Sequence, residues 1–150
     1  MAKIEGEIYI DRPPEVVFDV GADERNEPLY NPKMTAVSLL SDAQNGSGSR
    51  FVATMKSRMR TFSMMIEFTD FERPTRLGSV STVGTMRTVG ALLFKPKGSG
   101  TVMSWSWDIG LRGITKLAAP IVSWMGRRQE RAIWTGLKTM LEAEVSNGGE

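Results

Sequence analysis

The stretch ITKLAAPIVSWMGRRQERAIWTGLKTMLEAEV, residues 114–145, decides the fold of this chain. Its apolar residues recur at helical spacing, and charged residues fill much of the remainder. The apolar set is Ile121, Val122, Met125, Ile133, Leu137 and Met140. A helix of this length must bury its apolar stripe against a partner of matching size. The residues before it carry mainly strand patterns, so we expect one sheet to cover the helix.

Seven segments before this helix have the alternation or the turn boundaries that are typical of strands. They are residues 3–11, 35–40, 50–58, 62–71, 77–83, 86–94 and 101–109. Two short helices are predicted after the first strand. One begins at Asp11-Arg12-Pro13-Pro14 and ends at Gly21, and the other runs from residue 23 to about residue 30. The order predicts an α+β fold built on a seven-stranded antiparallel sheet.

Length and composition indicate one ordinary globular domain. The 150 residues predict a single domain over 1–150, with 146–150 as a flexible tail and 42–49 as a flexible hairpin loop. A net charge of +2 argues against a nucleic-acid partner. No apolar run is long enough to span a bilayer, and the N-terminus lacks a signal-peptide core, so we expect a cytoplasmic protein without stable membrane insertion. Monomer and homodimer both remain open.

The chain lacks the residues that most often perform catalysis. It has no His and no Cys, which removes the commonest general base, the thiolate nucleophile and the usual zinc ligands. We therefore expect no metal and no cofactor, and no catalytic residue can be named. Arg127, Arg128 and Arg131 read as a solvated helix face interrupted by Glu130, and the charges at 23–25 read as solvated as well.

Several local motifs follow one another in a specific order. They are DRPPEVVFDV (11–20), ADERNEPLYNP (22–32), GSGSRF (46–51), FERPTRL (71–77), FKPKGSGT (94–101) and LKTMLEAE (137–144). In this order, over residues 3–143, the chain resembles the SRPBCC (START/birch-pollen-allergen-like) superfamily and, within it, the polyketide cyclase/dehydrase-like group. The resemblance implies a helix-grip fold, in which a curved seven-stranded sheet wraps around the C-terminal helix and two short helices close one end. It also implies an apolar cavity for a lipid, a polyketide or a similar molecule.

Strand alternation predicts which residues face that cavity. The predicted lining is Phe51, Ala53, Met55, Met64, Ile66, Phe68, Gly90, Met103, Trp105 and Trp107 from the sheet, with Ile121 and Met125 from the helix. Two inward tryptophans on one strand each need a polar partner for the indole N–H, and a ligand or water is one source. Tyr9, Tyr30, Asp70 and Arg87 are predicted polar groups at the cavity mouth.

Three functions fit these features. The first is binding or carrying of a hydrophobic small molecule, and the absence of His and Cys favours it. The second is a polyketide cyclase or aromatase, which requires at least two convergent polar groups inside the cavity. The third is a surface-mediated interaction or stress-response role, which an exposed apolar patch around Trp134 and Leu141 would favour.

Overall fold

A computed structural model describes residues 2–40, 46–111 and 117–148, with side chains to residue 144. The elements are β1 (Ala2–Ile10), α1 (Pro14–Gly21), a 3₁₀ helix (Glu24–Leu29), β2 (Met34–Leu39), β3 (Arg50–Ser57), β4 (Arg60–Glu72), β5 (Arg76–Val83), β6 (Met86–Lys97), β7 (Gly100–Gly110) and α2 (Ala119–Gly148). This order confirms the predicted α+β fold. The predicted loop residues 42–45, the first predicted helix residues 114–116 and the final residues 149–150 lie outside the described residues.

All strands belong to one antiparallel sheet with the order β1-β7-β6-β5-β4-β3-β2. One end of the sheet holds the start of β1, the end of β7 and the β5–β6 turn. The register shows this, because Ala2 pairs with Ile109 and Arg87 pairs with Gly110. The β3–β4 turn lies at the same end, which we call the mouth end. The β4–β5 and β6–β7 turns lie at the opposite end, the base end.

Helix α1 covers the base end of the sheet. Its Phe18 is fully buried and meets Phe71 and Phe94 edge to face, with ring centroids 5.2 Å apart in both pairs. Edge-to-face aromatic pairs of this kind add to the energy of burial. Asp19 on the outer side of α1 accepts a hydrogen bond from Arg73 Nε at 2.7 Å, which ties the helix to the β4–β5 turn.

Helix α2 runs along β1 toward the base end. At the level of Ile4, Gly126 allows close approach, because an added Cβ would overlap the Ile4 side chain. Near the other end, Arg12 donates to the backbone oxygen of Leu141 at 2.7 Å. The buried face of α2 passes through Ile133, Trp134, Leu137 and Leu141. One helix gripped by a curved sheet is the helix-grip fold that the sequence predicted.

The first turns of α2 direct Ile121 and Met125 away from the sheet. Ala119 and Val122 in these turns pack against the core, and Gly126 contacts β1. With 3.6 residues per helical turn, Ile121 and Met125 lie about 140° and about 100° from Gly126 around the helix axis. They are therefore 62% and 58% exposed, and the prediction that they face the interior is wrong.

Two further expectations about α2 need correction. Trp134 is 7% exposed and Leu141 is fully buried, so the surface patch that a surface-mediated function would favour does not exist around them. The helix also continues to Gly148, so residues 146–148 are helical rather than a tail. No glycine or proline interrupts residues 137–147, which removes the usual helix stops. Among the described helices, none is long and apolar enough to cross a membrane.

Candidate ligand-binding interior

The inner face of the sheet is tightly packed at the base end and accessible at the mouth end. Phe51, Phe68, Phe94 and Met103 face inward toward the base and are almost completely buried. Toward the mouth the inward residues are partly exposed, namely Phe62, Met64, Ser81, Met86, Thr88, Gly90 and Trp107. Three of them, Ser81, Thr88 and Gly90, are small. Small side chains in the middle of the sheet, combined with partial exposure, leave the inner face more exposed at the mouth end than at the base end.

The predicted lining residues of the sheet share this inner face. Phe51, Ala53, Met55, Ile66, Phe68, Met103 and Trp105 are buried there, and Met64, Gly90 and Trp107 are partly exposed. The pairing register explains the arrangement, because residues directly opposite each other lie on the same face of an antiparallel sheet. Gly90 pairs with Trp107, and its missing side chain leaves room for that indole. Ligand contact by these residues stays a prediction.

Of the four polar residues predicted at the mouth, three lie elsewhere. Tyr9 and Arg87 sit between inward residues of their strands, so alternation turns their side chains to the outer face. Asp70 lies in the bulge between the inward Phe68 and Phe71, and its carboxyl group borders the outward Gly78. Tyr9 donates a long hydrogen bond of 3.4 Å to Asp11 at the edge of the sheet. Asp70 pairs with Arg76 at 3.2 Å on the surface, and Arg87 is exposed. The prediction is wrong for these three residues.

Glu130 points into the interior from α2. Its Oε2 accepts hydrogen bonds from the indole nitrogens of Trp107 at 3.0 Å and Trp134 at 2.7 Å. Burial raises the pKa of Glu130 to about 7, against the opposing effect of these two N–H groups. The sequence pattern predicted a solvated face for Glu130, which is wrong. Its position four residues after Gly126 and seven before Leu137 puts it on the buried face of the helix.

The 3₁₀ helix brings two more carboxyl groups, those of Glu24 and Glu27, to the same interior. Burial raises the pKa of Glu24 well above its usual range, and the neighbouring Glu27 carboxyl, hydrogen-bonded to it, adds to the effect. Glu27 in turn accepts a hydrogen bond from Asn31 Nδ2 at 2.9 Å. Oε2 of Glu24 is buried and has no hydrogen-bond partner among the described residues. The interpretation of Glu24 as a solvated charge is therefore wrong.

An aromatic row connects these carboxyl groups. Tyr30, the one predicted mouth residue that does face inward, lies 5.9 Å from Trp134, and Trp134 lies 6.3 Å from Trp105, measured between ring centroids. Burial, and next the charge of Glu27, raise the pKa of the Tyr30 phenol well above its ordinary value. We call Glu24, Glu27, Tyr30 and Glu130 the acid cluster.

Trp105 is the inward tryptophan that lacks a partner. Its indole lies against Gly6 of β1, where an added Cβ would come within 2.7 Å of Cε2. The Trp105 N–H is buried and makes no hydrogen bond to any described residue. The sequence predicted that both indole N–H groups need a polar partner. The protein itself supplies one for Trp107, namely Glu130.

The chemistry of this interior combines three features. Glu24 supplies a free acceptor, Trp105 supplies a free donor, and Glu130 titrates near neutral pH. A polar ligand end can hydrogen-bond there, and a proton can be exchanged. Within the described ranges, no three acidic residues have an arrangement that would hold a metal ion. Two surface depressions, of about 460 and 300 Å³, are lined mainly by residues outside this interior, although Tyr30 borders the first and Gly90 and Trp105 border the second. Neither is lined by Glu24, Glu27 or Glu130.

Comparison with solved structures shows the same fold in several proteins. A START superfamily protein from Mycobacterium smegmatis superposes with a TM-score of 0.82 at 10% identity, covering 95% of this chain and 99% of that one. The Zhui aromatase/cyclase from Streptomyces sp. R1128 gives 0.77 at 14% identity, covering 95% and 93%. The protein TTHA0849 from Thermus thermophilus gives 0.75 at 21% identity, covering 94% and 97%. These likenesses establish the fold.

Comparison with curated proteins found no match. The family described as polyketide cyclase / dehydrase and lipid transport, however, matches residues 1–142, which is nearly the whole chain. With the helix-grip fold and the START and aromatase/cyclase neighbours, this agrees with the SRPBCC resemblance of the sequence. The chain therefore belongs to the polyketide cyclase / dehydrase and lipid transport family.

Proposed function

We propose that this protein binds or carries a hydrophobic small molecule between the sheet and α2. The observation that carries the proposal is that two buried polar atoms, Trp105 Nε1 and Glu24 Oε2, have no hydrogen-bond partner among the described residues, in an interior whose walls include many aromatic and methionine side chains beside the acid cluster. The family description, which includes lipid transport, supports it. A START superfamily protein among the structural neighbours supports the fold and not the identity of the ligand.

The unpartnered atoms also indicate what kind of ligand fits. Leaving a buried donor or acceptor unpaired costs about 1–3 kcal/mol for each group. An aliphatic body without polar atoms would leave both groups unpaired, whereas a hydroxyl group donates to Glu24 or accepts from Trp105. The proposed ligand is thus an apolar molecule with a hydroxyl or similar polar group at one end. Its apolar part would contact the methionine-rich walls, whose flexible side chains adapt to shape.

Recovery of the ligand tests this proposal. The purified protein is measured by native mass spectrometry and again after denaturation, and an organic extract is analysed in parallel. The expected result is a native mass above that of the chain alone, with an apolar compound in the extract. A native mass equal to the chain mass, together with no uptake of any apolar compound on incubation with a lipid extract, would overturn it.

The acid cluster favours one second candidate, a cyclase-type enzyme. A carboxyl group with a pKa of about 7 is suited to proton transfer at neutral pH, and burial raises the pKa of the neighbouring Glu24 well above its usual range. In an aldol cyclisation, Glu130 would remove a methylene proton, and the resulting carbanion would form the new carbon–carbon bond at a ketone carbon as its C=O π bond breaks. The proton held by Glu130 would then pass to the oxygen of that former ketone. An aromatase/cyclase among the structural neighbours is consistent with this chemistry.

A poly-β-ketone thioester serves as the probe for this second candidate. The enzyme function predicts a cyclised product, and a dehydrated one with the mass lowered by one water, formed by the natural protein and lost in Glu130→Gln. Binding of the thioester without any change in its covalent structure would contradict the enzyme function and would be consistent with the carrier function.

A further inference from the structure

The mouth end of the molecule carries an unusual group of exposed apolar side chains. They are Met59 at the β3–β4 turn, 94% exposed, and Leu117, Ile121, Trp124 and Met125 at the start of α2, which are 84%, 62%, 55% and 58% exposed. Soluble proteins seldom present several large apolar residues together without a partner. Ile121, Trp124 and Met125 lie on the side of α2 that faces away from the core, whereas Ala119 and Val122 pack against it, and Leu117 precedes the helix.

The charges around these residues are mostly positive. The mouth end carries Lys33, Lys56, Arg58, Arg60, Arg87, Arg127 and Arg128. None of the seven forms a salt bridge with another described residue, and Arg128 lies over the Trp124 ring at 5.5 Å. Acidic side chains are fewer at this end: Glu5 is paired to Lys3, Asp108 lies on the outer face, and Glu130, with Glu24 and Glu27 nearby, points into the interior. The net charge of only +2 is thus unevenly distributed.

We propose that the mouth end docks onto an anionic lipid bilayer. A group of apolar side chains surrounded by cations suits the boundary between lipid headgroups and acyl chains. The apolar side chains insert there, and the cations bind lipid phosphates. A second copy of the chain fits less well, because a symmetric dimer through this face would bring two sets of arginines together. The inner face is accessible from this same end, so a docked molecule would exchange an apolar ligand with the bilayer without passing it through water.

Vesicle co-sedimentation tests the docking directly. The expected result is binding to phosphatidylcholine vesicles that contain about one third phosphatidylglycerol, weak binding to pure phosphatidylcholine, and a decline with added salt. The double variant Arg127→Glu/Arg128→Glu should bind at least about tenfold more weakly. The matched control, Lys95→Glu/Lys97→Glu, makes the same charge change at the base end and should bind like the natural protein.

The apolar contribution has its own readout. Trp124 is the exposed tryptophan of the four, so its emission should shift to shorter wavelength on anionic vesicles, and Trp124→Phe should abolish the shift. Equal loss of binding in the two double-charge variants, or no binding to anionic vesicles, overturns the proposal. So does a concentration-dependent dimer that Ile121→Ser/Met125→Ser converts to monomer. Ligand recovery by extraction is independent of these results, so failure of docking and failure of the binding function are distinguishable.

Discussion

The indole nitrogen of Trp107 on β7 lies 3.0 Å from Oε2 of Glu130 on α2. This hydrogen bond crosses the interior between sheet and helix, and it couples a fluorescent group to a carboxyl group whose pKa is about 7. Tryptophan emission should therefore change with a midpoint near pH 7. In Glu130→Gln the transition should be absent, since the amide does not ionise. A transition that persists unchanged in the variant would assign it to another group.

Removal of one N–H donor should move that midpoint upward. Trp107→Phe keeps an aromatic ring but removes a hydrogen bond that stabilises the ionised carboxyl group, so the pKa of Glu130 should rise above about 7. Carboxyl carbon NMR with labelled glutamate measures it. Trp124→Phe is the matched control, because Trp124 is exposed and makes no hydrogen bond to Glu130. Equal midpoints in the two variants would contradict the assigned hydrogen bond.

The raised pKa predicts how stability depends on pH. Folding raises the pKa of Glu130 from 4.5 to about 7, so the folded state binds the proton more tightly than the unfolded state. The free energy of unfolding should fall as the pH rises from about 4.5 to about 7, by at most about 3 kcal/mol. Urea denaturation across this range measures it. Asp19 and Glu142, whose pKa values are lowered, act below this window.

Glu130→Gln isolates that effect. The variant should show a flatter dependence of unfolding free energy on pH over the same window, with part of the slope remaining because the pKa of Glu24 is also raised. A slope as steep as in the natural protein would show that Glu130 does not titrate inside the fold.

A glycine on β1 should prove necessary for the position of Trp105. Gly6→Ala places a Cβ within 2.7 Å of the indole Cε2, so the ring must move and the free energy of unfolding should fall by about 1–3 kcal/mol. Gly46→Ala meets nothing within 4 Å and should change stability by less than about 0.5 kcal/mol. Chemical denaturation of the two variants checks the pair, and equal effects would contradict the packing described for Trp105.

The sheet was predictable from the sequence because alternation defines both a strand and its faces. Trp105 and Trp107 were assigned to the inner face on that basis, and the register agrees. The helix face was harder to predict. Helical spacing predicted a common face for Ile121, Met125 and Ile133, but the first two lie about 100° or more around the helix from Gly126, the residue that contacts β1.

The acid cluster was missed for a different reason. The sequence around Glu130 does not distinguish a helix face in contact with water from one in contact with tryptophan. The neighbouring arginines favoured the prediction of a solvated face. The available signal was the pair of inward tryptophans, each in need of a polar partner. A search of the facing helix for such a partner identifies Glu130, the acidic residue on the buried face four residues after Gly126.

Equilibrium titration with an apolar fluorescent probe, N-phenyl-1-naphthylamine, is the sharpest test of binding between the sheet and α2. Ser81 faces the interior, whereas Ser104 faces the outer side of the sheet, and both are partly exposed. Ser81→Phe and Ser104→Phe therefore add the same ring inside and outside the proposed binding space. We expect saturable binding to the natural protein and to Ser104→Phe, with at least about tenfold weaker binding to Ser81→Phe because the added ring fills the space. Equal binding by all three proteins, or none by the natural protein, would contradict the proposed function.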